Sequence, residues 1–283
     1  MAIGATAVAV ECPCMRRVPL PCAICLLVLV PPAGACADVP PQADLRAAVD
    51  RAIPLIQKSA AEYLAQRQCF SCHHQAASVF VLTEAKRRGF DVDQAVLRAQ
   101  VERTVTHLKN GQARYRQGRG QGGRVATAAF ALWTLDEAGH EPDDLTGDVM
   151  HYLLGEMHKA GYWPTPSRRS PTVARVFTRN YMTLRAMDHF GTEAQRDAIN
   201  ERRSAALIWL TKTQPADTED HAYRLRSFTY VDADARTVRS AADALLARQR
   251  DDGGWSQTDD LASDAYATSS AMLALVEASA LKP

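Results

Sequence analysis

Apolar positions recur every three to four residues along most of this chain, and no convincing run alternates as a strand would. The first stripe is Leu45, Val49, Ile53, Ile56, Ala60 and Leu64, the spacing of one helical face. Pro54 falls within it, so the segment is expected to break or kink there, or to restart with Pro54 in the first turn of a second helix. Val79, Phe80 and Leu82 mark the next helix, ending near Gly89 as a C-terminal cap. Asp91 or Asp93 can cap the third, whose stripe is Leu97, Val101, Val105 and Leu108 and which Gly111 is expected to close. The stretch GQARYRQGRGQGGR, 111–124, is predicted to be a loop. Its arginines could meet an anionic group, or simply face water. Beyond it, helices are predicted near 125–138, 145–159, 172–189, 193–213, 218–229, 236–249 and 264–280. The expected class is all-α, with short connections making antiparallel hairpins.

One pattern occurs twice. HYLLGEMHKAGYWP and ALLARQRDDGGWSQ each carry a Leu pair, then Gly, one residue and Trp: Gly161 and Trp163 in the first, Gly253 and Trp255 in the second. Repetition at this scale predicts hairpins packed side by side. The second copy, with Gln249 and Trp255, resembles the QW repeat of the terpenoid cyclase and prenyltransferase superfamily. In the first copy Met157 stands where the motif has Gln, and Gln214 in TKTQPADTED has neither Gly nor Trp after it. The resemblance covers roughly Gly123 to Leu281. It implies an α/α toroid, with inner and outer helices around a central cavity. About ten helices are counted before Pro283 against about twelve in a full toroid, which implies a fragment or an incomplete ring that a partner completes. More narrowly, QCFSCHH and SDAYATSSAMLAL resemble a group of bacterial squalene-cyclase-like proteins with a CxSCHH segment near the start of an exported helical repeat domain.

The N-terminal segment differs in kind. MRRVPLPCAICLLVLVPPAGACA has an arginine pair, an apolar run from Leu20 to Val30 and small residues after it, the layout of a secretory signal. Ala35 and Ala37 fit a cleavage site, so residues 1–37 are expected to be removed; a start at Met15 would leave the signal intact. An uncleaved anchor is the alternative, although the run is short for a bilayer. Of seven cysteines, Cys12, Cys14, Cys22, Cys25 and Cys36 lie in this segment, and only Cys69 and Cys72 follow. A disulfide framework would need more. Hydrophobic residues make up 47% of the chain, so its core must hold the fold. A net charge of +1 gives no argument for nucleic acid, and no transmembrane helix is expected in the mature chain.

The two remaining cysteines stand in QCFSCHHQ, a CxxCH motif formed by Cys69, Cys72 and His73. That spacing lets two thiols reach the two vinyl groups on one porphyrin edge, with the next His beneath the iron. Covalent haem c is therefore expected in the segment 38–110. A disulfide or redox dithiol is one alternative, although such sites favour a βαβ context. Another metal is a second, although three ligands leave a tetrahedral site incomplete. The sixth iron ligand is open among Met150, Met157, Met182, Met187, His74, His107, His151 and His158. Methionines in Ala/Leu-rich helices are normally core filler, and His74 adjoins His73 too closely to reach the opposite face of the same iron.

The segment 125–283 is expected to be the squalene-cyclase-like repeat region. Resemblance to squalene–hopene cyclases aligns their DxDDTA acid motif with Asp264, Ala265, Tyr266, Ala267 and Thr268, so Tyr266 takes the proton-donor position. A phenol with a pKa of about 10 is a poor acid for an alkene. Aromatics are 7% of the chain, thin for stabilising carbocations. No later cysteine supports a prenyltransferase zinc site. Asp232 and Asp234 are expected to cap a helix or face solvent. The favoured expectation is an exported, periplasmic haem-c protein for electron transfer or redox sensing, with a redox partner and the toroid as scaffold. The rivals are a cyclase-like enzyme or binder of an apolar, isoprenoid-type ligand, using Asp264 and Tyr266, and an interaction module without a redox centre.

Overall fold

The computed structural model describes residues 40–164 and 175–279, the side chains of His73 and Ser279 excepted. The expected signal and its five cysteines lie outside the described residues. Ten α-helices run through the described chain: α1 (Gln42–Gln66), α2 (Ala77–Arg87), α3 (Gln94–Arg116), α4 (Arg124–Glu137), α5 (Asp144–Gly155), α6 (Val176–Phe190), α7 (Arg196–Lys212), α8 (Thr218–Ser227), α9 (Ala235–Leu246) and α10 (Ala265–Ser279). Among the described residues there is no strand, only an isolated antiparallel bridge between His158 and Tyr162. The all-α expectation holds.

Acidic side chains start many of these helices. Asp93 accepts from Ala95 N at 2.8 Å, Asp234 from Thr237 N at 2.8 Å, and Asp264 from Ala267 N at 2.9 Å. Asp143 and Thr146 form a reciprocal capping box at α5. Each cap satisfies a backbone donor that the helix itself leaves open, worth about 1 kcal/mol. Asp234 is thus the cap expected of it, and Asp232 is exposed.

The helices divide by packing. The even-numbered ones contact each other in succession, α2 to α4, α6, α8 and α10, while α1, α3, α5 and α7 do the same. Burial follows this division for α4, α6, α7, α8 and α9, but not for α5, most of which is buried, or for α10, which buries one alanine stripe and exposes Met272, Leu273 and Val276. In α4, every residue from Ala128 to Leu135 is buried; α7 and α9 bury only narrow stripes, among them Ala206 and Leu210, and Ala241 and Leu245. A helix buried nearly all round belongs to an inner layer, and one with a single apolar stripe to an outer layer.

Several boundaries differ from the sequence expectation: α5 stops at Gly155 and α9 at Leu246, short of the expected 159 and 249, and two breaker residues act otherwise than expected. α1 runs unbroken through Pro54. Ile53 on one side is buried with Leu82, Ala85 and Val92, and the Ala60 carbonyl on the other accepts from Gln100 Nε2 at 3.1 Å. Packing on both flanks carries the helix across the one donor that proline lacks. α3 continues past Gly111 to Arg116, and the left-handed Gly118 (φ +67°) follows its end instead. Gly111 serves a close approach: a Cβ there would lie 2.3 Å from Gln121 Cδ.

The repeated pattern is a repeated structure. Trp163 Nε1 donates to Leu153 O at 2.7 Å, and Trp255 Nε1 to Leu245 O at 2.9 Å. Both indoles are buried, and both turns use a left-handed glycine, Gly161 (φ +93°) and Gly253 (φ +82°). The turns close alike, with His158 N bonded to Tyr162 O and Arg250 N to Gly254 O. Gln249 Nε2 adds a bond to Gly253 O at 2.8 Å, for which Met157 has no amide.

Candidate functional site

The cysteine motif lies between α1 and α2. Cys69 and Phe70 are in the connecting loop, and residues Cys72–Ala76 form one π-helical turn leading into α2. Ser71 sets the start of that turn. Its hydroxyl accepts from His74 N at 3.2 Å, and its N–H donates to Gln75 Oε1 at 2.8 Å. Gln75 is fully buried, so this end of the turn is anchored in the interior. Cys72 and Phe70 pack against the main hydrophobic core, whereas Cys69 is exposed. The two sulfurs are thiols, not a disulfide. The His73 side chain lies outside the described set.

Tyr63, near the end of α1, covers the motif from one side. Its hydroxyl lies 3.2 Å from Cys69 Sγ and donates to Cys69 O at 3.2 Å, and its ring stacks on His74 at 4.7 Å. Burial and the hydrogen bond with Cys69 push the Tyr63 pKa up. His74 is therefore engaged by a phenol at the surface.

On the other side, Cys69 opens onto a cleft of about 440 Å³ lined by Phe70, His107, Arg114, Gln121 and Thr127, within the usual range for a small-molecule or cofactor site. Phe70 stacks on His107 at 5.7 Å. Gln121 is clamped: its Nε2 donates to His107 O at 2.8 Å and its Oε1 accepts from Tyr115 Oη at 2.8 Å. Arg114 donates twice to Gly120 O. The other arginines of the expected 111–124 loop are spent elsewhere: Arg116 on Asp148, Arg119 on Gln117, and Arg124 on Glu156. Only Arg114 among these lines the cleft. Sequence reasoning named the loop but could not choose among its arginines, because the choice depends on where α3 ends.

The other candidate iron ligands are scattered. Met150, Met182 and Met187 are buried in the core, and Met157 packs against it. His151 is exposed, and His158 packs against Tyr162 with its ring tilted by 31° while its Nδ1 accepts from Ala160 N at 3.1 Å. Among the described residues, a set that leaves out the His73 ring, no three His, Cys, Asp or Glu side chains converge as a metal site.

A second cavity, about 220 Å³, lies between the starts of α8 and α10. Tyr266, Glu219, Asp217, Arg175, Gln257 and Ser270 line it. Asp264 is mostly at the surface, and its hydrogen bond from Ala267 N holds its pKa below the ordinary value. It is a cap rather than an acid. Tyr266 Oη is buried without a well-formed hydrogen bond, and burial pushes its pKa well above that of a free phenol, with Tyr223 and Glu219 adding to the shift. Sequence reasoning missed Glu219. Burial pushes its carboxyl up to about 7; the Thr178 hydroxyl at 2.5 Å opposes this, while Asp217 and Asp220 reinforce it. The run of three acids from Asp217 to Asp220 around Thr218 was the available signal, but helix-start carboxylates are common enough to hide it.

No family model, curated protein or solved structure matches this chain.

Proposed function

We propose that the mature chain is an exported haem-c protein serving electron transfer or redox sensing, with the helical array as its scaffold. The observation that carries this reading is the setting of the only two cysteines beyond the expected signal. They bracket a short loop at the mouth of a cofactor-sized cleft, and the His after the second cysteine sits in a helical turn anchored by buried Gln75. Cys69 and Cys72 would form the thioethers, His73 would supply the proximal nitrogen, and Arg114 would face a propionate across the cleft. When bound, haem c supplies one-electron chemistry at a potential that its axial ligands and surroundings set. The protein's own part is to fix the attachment turn, to keep one side of the site packed on α3 and α4, and to offer the exposed Cys69 edge to a partner. The two-layer succession of helices supports an incomplete α/α toroid as the architecture.

The rival readings draw less support. The cavity beside Tyr266 is only about 220 Å³ and Tyr266 is the one aromatic ring lining it, below the usual size of a small-molecule site and with little aromatic surface to stabilise a carbocation. An interaction module without a redox centre would leave the paired thiols and the cleft without a role.

Export of the full chain in cells with haem-c maturation machinery tests the proposal. The purified protein is expected to be coloured, with a mass raised by one haem that denaturation does not remove. Cys72→Ser should lose one thioether and most of the yield of coloured protein. A colourless chain of unmodified mass, made beside a control cytochrome that matures normally, refutes the reading.

A further inference from the structure

Among the eight residues that sequence reasoning left open as the second iron ligand, one differs in its surroundings. His107, on α3, is the one that lines the same cleft as Cys69. Its Nε2 is wholly buried and makes no hydrogen bond to any described residue. An unsatisfied buried nitrogen costs about 1–3 kcal/mol, and such groups are uncommon enough to call for a reason. His107 is not left there by loose packing. Phe70 stacks on the ring, and the clamped Gln121 holds the backbone carbonyl of the same residue. Gln121 is itself fitted against Gly111, where no side chain could stand. Burial also moves the His107 pKa down, which favours the neutral imidazole that coordinates a metal.

We infer that His107 is the second axial ligand of the haem iron, so that the centre is a six-coordinate, bis-histidine site with His73. This rests on the haem-c reading above. Phe70 lines the cleft and stacks on the imidazole ring, and so is the side chain that must yield or repack as the cleft fills. Met150, Met182 and Met187, closed in the core, stay out of the coordination sphere.

The test uses the full-length, haem-loaded protein. Electron paramagnetic resonance and near-infrared magnetic circular dichroism of the oxidised wild type are expected to give a low-spin, bis-imidazole signature, and the reduced protein should not take up carbon monoxide. His107→Ala should keep its covalent haem, turn high-spin and bind carbon monoxide, with added imidazole restoring the low-spin form. His107→Met should raise the reduction potential. A histidine–methionine or high-spin signature in the wild type overturns the assignment even if no variant folds. So does a His107→Ala protein with unchanged spin state and carbon monoxide response. In both cases covalent haem remains, so the haem-c reading survives; absence of covalent haem removes the reading and the ligand together.

Discussion

Single residues carry the chemistry, and burial decides what each can do. Glu219 is the clearest case. In the unfolded chain its carboxyl ionises near 4.5, but in the folded chain the proton stays on up to about 7. Between those limits the folded state holds a proton that the unfolded state has released, so stability falls as pH rises through the window and levels off above it. The full shift is on the order of 3 kcal/mol. Glu219→Gln should match the wild type near pH 5 and exceed it by about that amount near pH 8, as read from urea midpoints. An equal difference at both pH values would show that the carboxyl does not titrate in this way. The CxxCH spacing of Cys69, Cys72 and His73 was visible in the sequence, because a motif's spacing is local. Glu219, Arg114 and the isolated nitrogen of His107 were not, because each acquires its character from residues far away in the chain.

At the level of helices, periodicity located nearly every element, since a helix that buries one face must repeat its apolar residues at that interval. The errors arose where a local breaker met tertiary packing. Pro54 has its side chain exposed while Ile53 beside it is buried, so α1 absorbs the missing donor. Pro54→Ala should restore that bond and remove the ring's clash with the preceding turn. The expected gain is about 1–3 kcal/mol, measurable as a higher denaturant midpoint with an unchanged slope. Loss of stability would mean that the proline ring is itself packed or bends α1 into place. Gly111 was misjudged for a related reason: a glycine can mark a stop or make room, and only the position of Gln121 tells which. The paired Gly–Trp turns were legible because the same residues do the same work twice. Each tryptophan satisfies a leucine carbonyl near its helix's C-terminal end.

Across the whole molecule, the order of helices was readable but their lateral ties were not. One of these ties is buried. Arg226 on α8 makes bonds of 2.8 and 2.9 Å to Glu277 on α10 and one of 2.6 Å to Tyr181 Oη on α6, with its guanidinium 4.1 Å above the Tyr181 ring. Nothing in the periodicity of α8 pairs Arg226 with a glutamate fifty-one positions away. Glu277→Ala should leave the guanidinium buried with half its partners gone and cost about 3 kcal/mol, read from the chemical denaturation midpoint. A change within experimental error would show that solvent reaches Arg226 readily. Stacked-hairpin proteins can often shed a terminal unit while the middle stays folded. Here α10 cannot peel away without stranding a cation between the phenols of Tyr181 and Tyr223, so probes on α10 and on α6 should melt together, and α10 inherits the cooperativity of the helices it packs on.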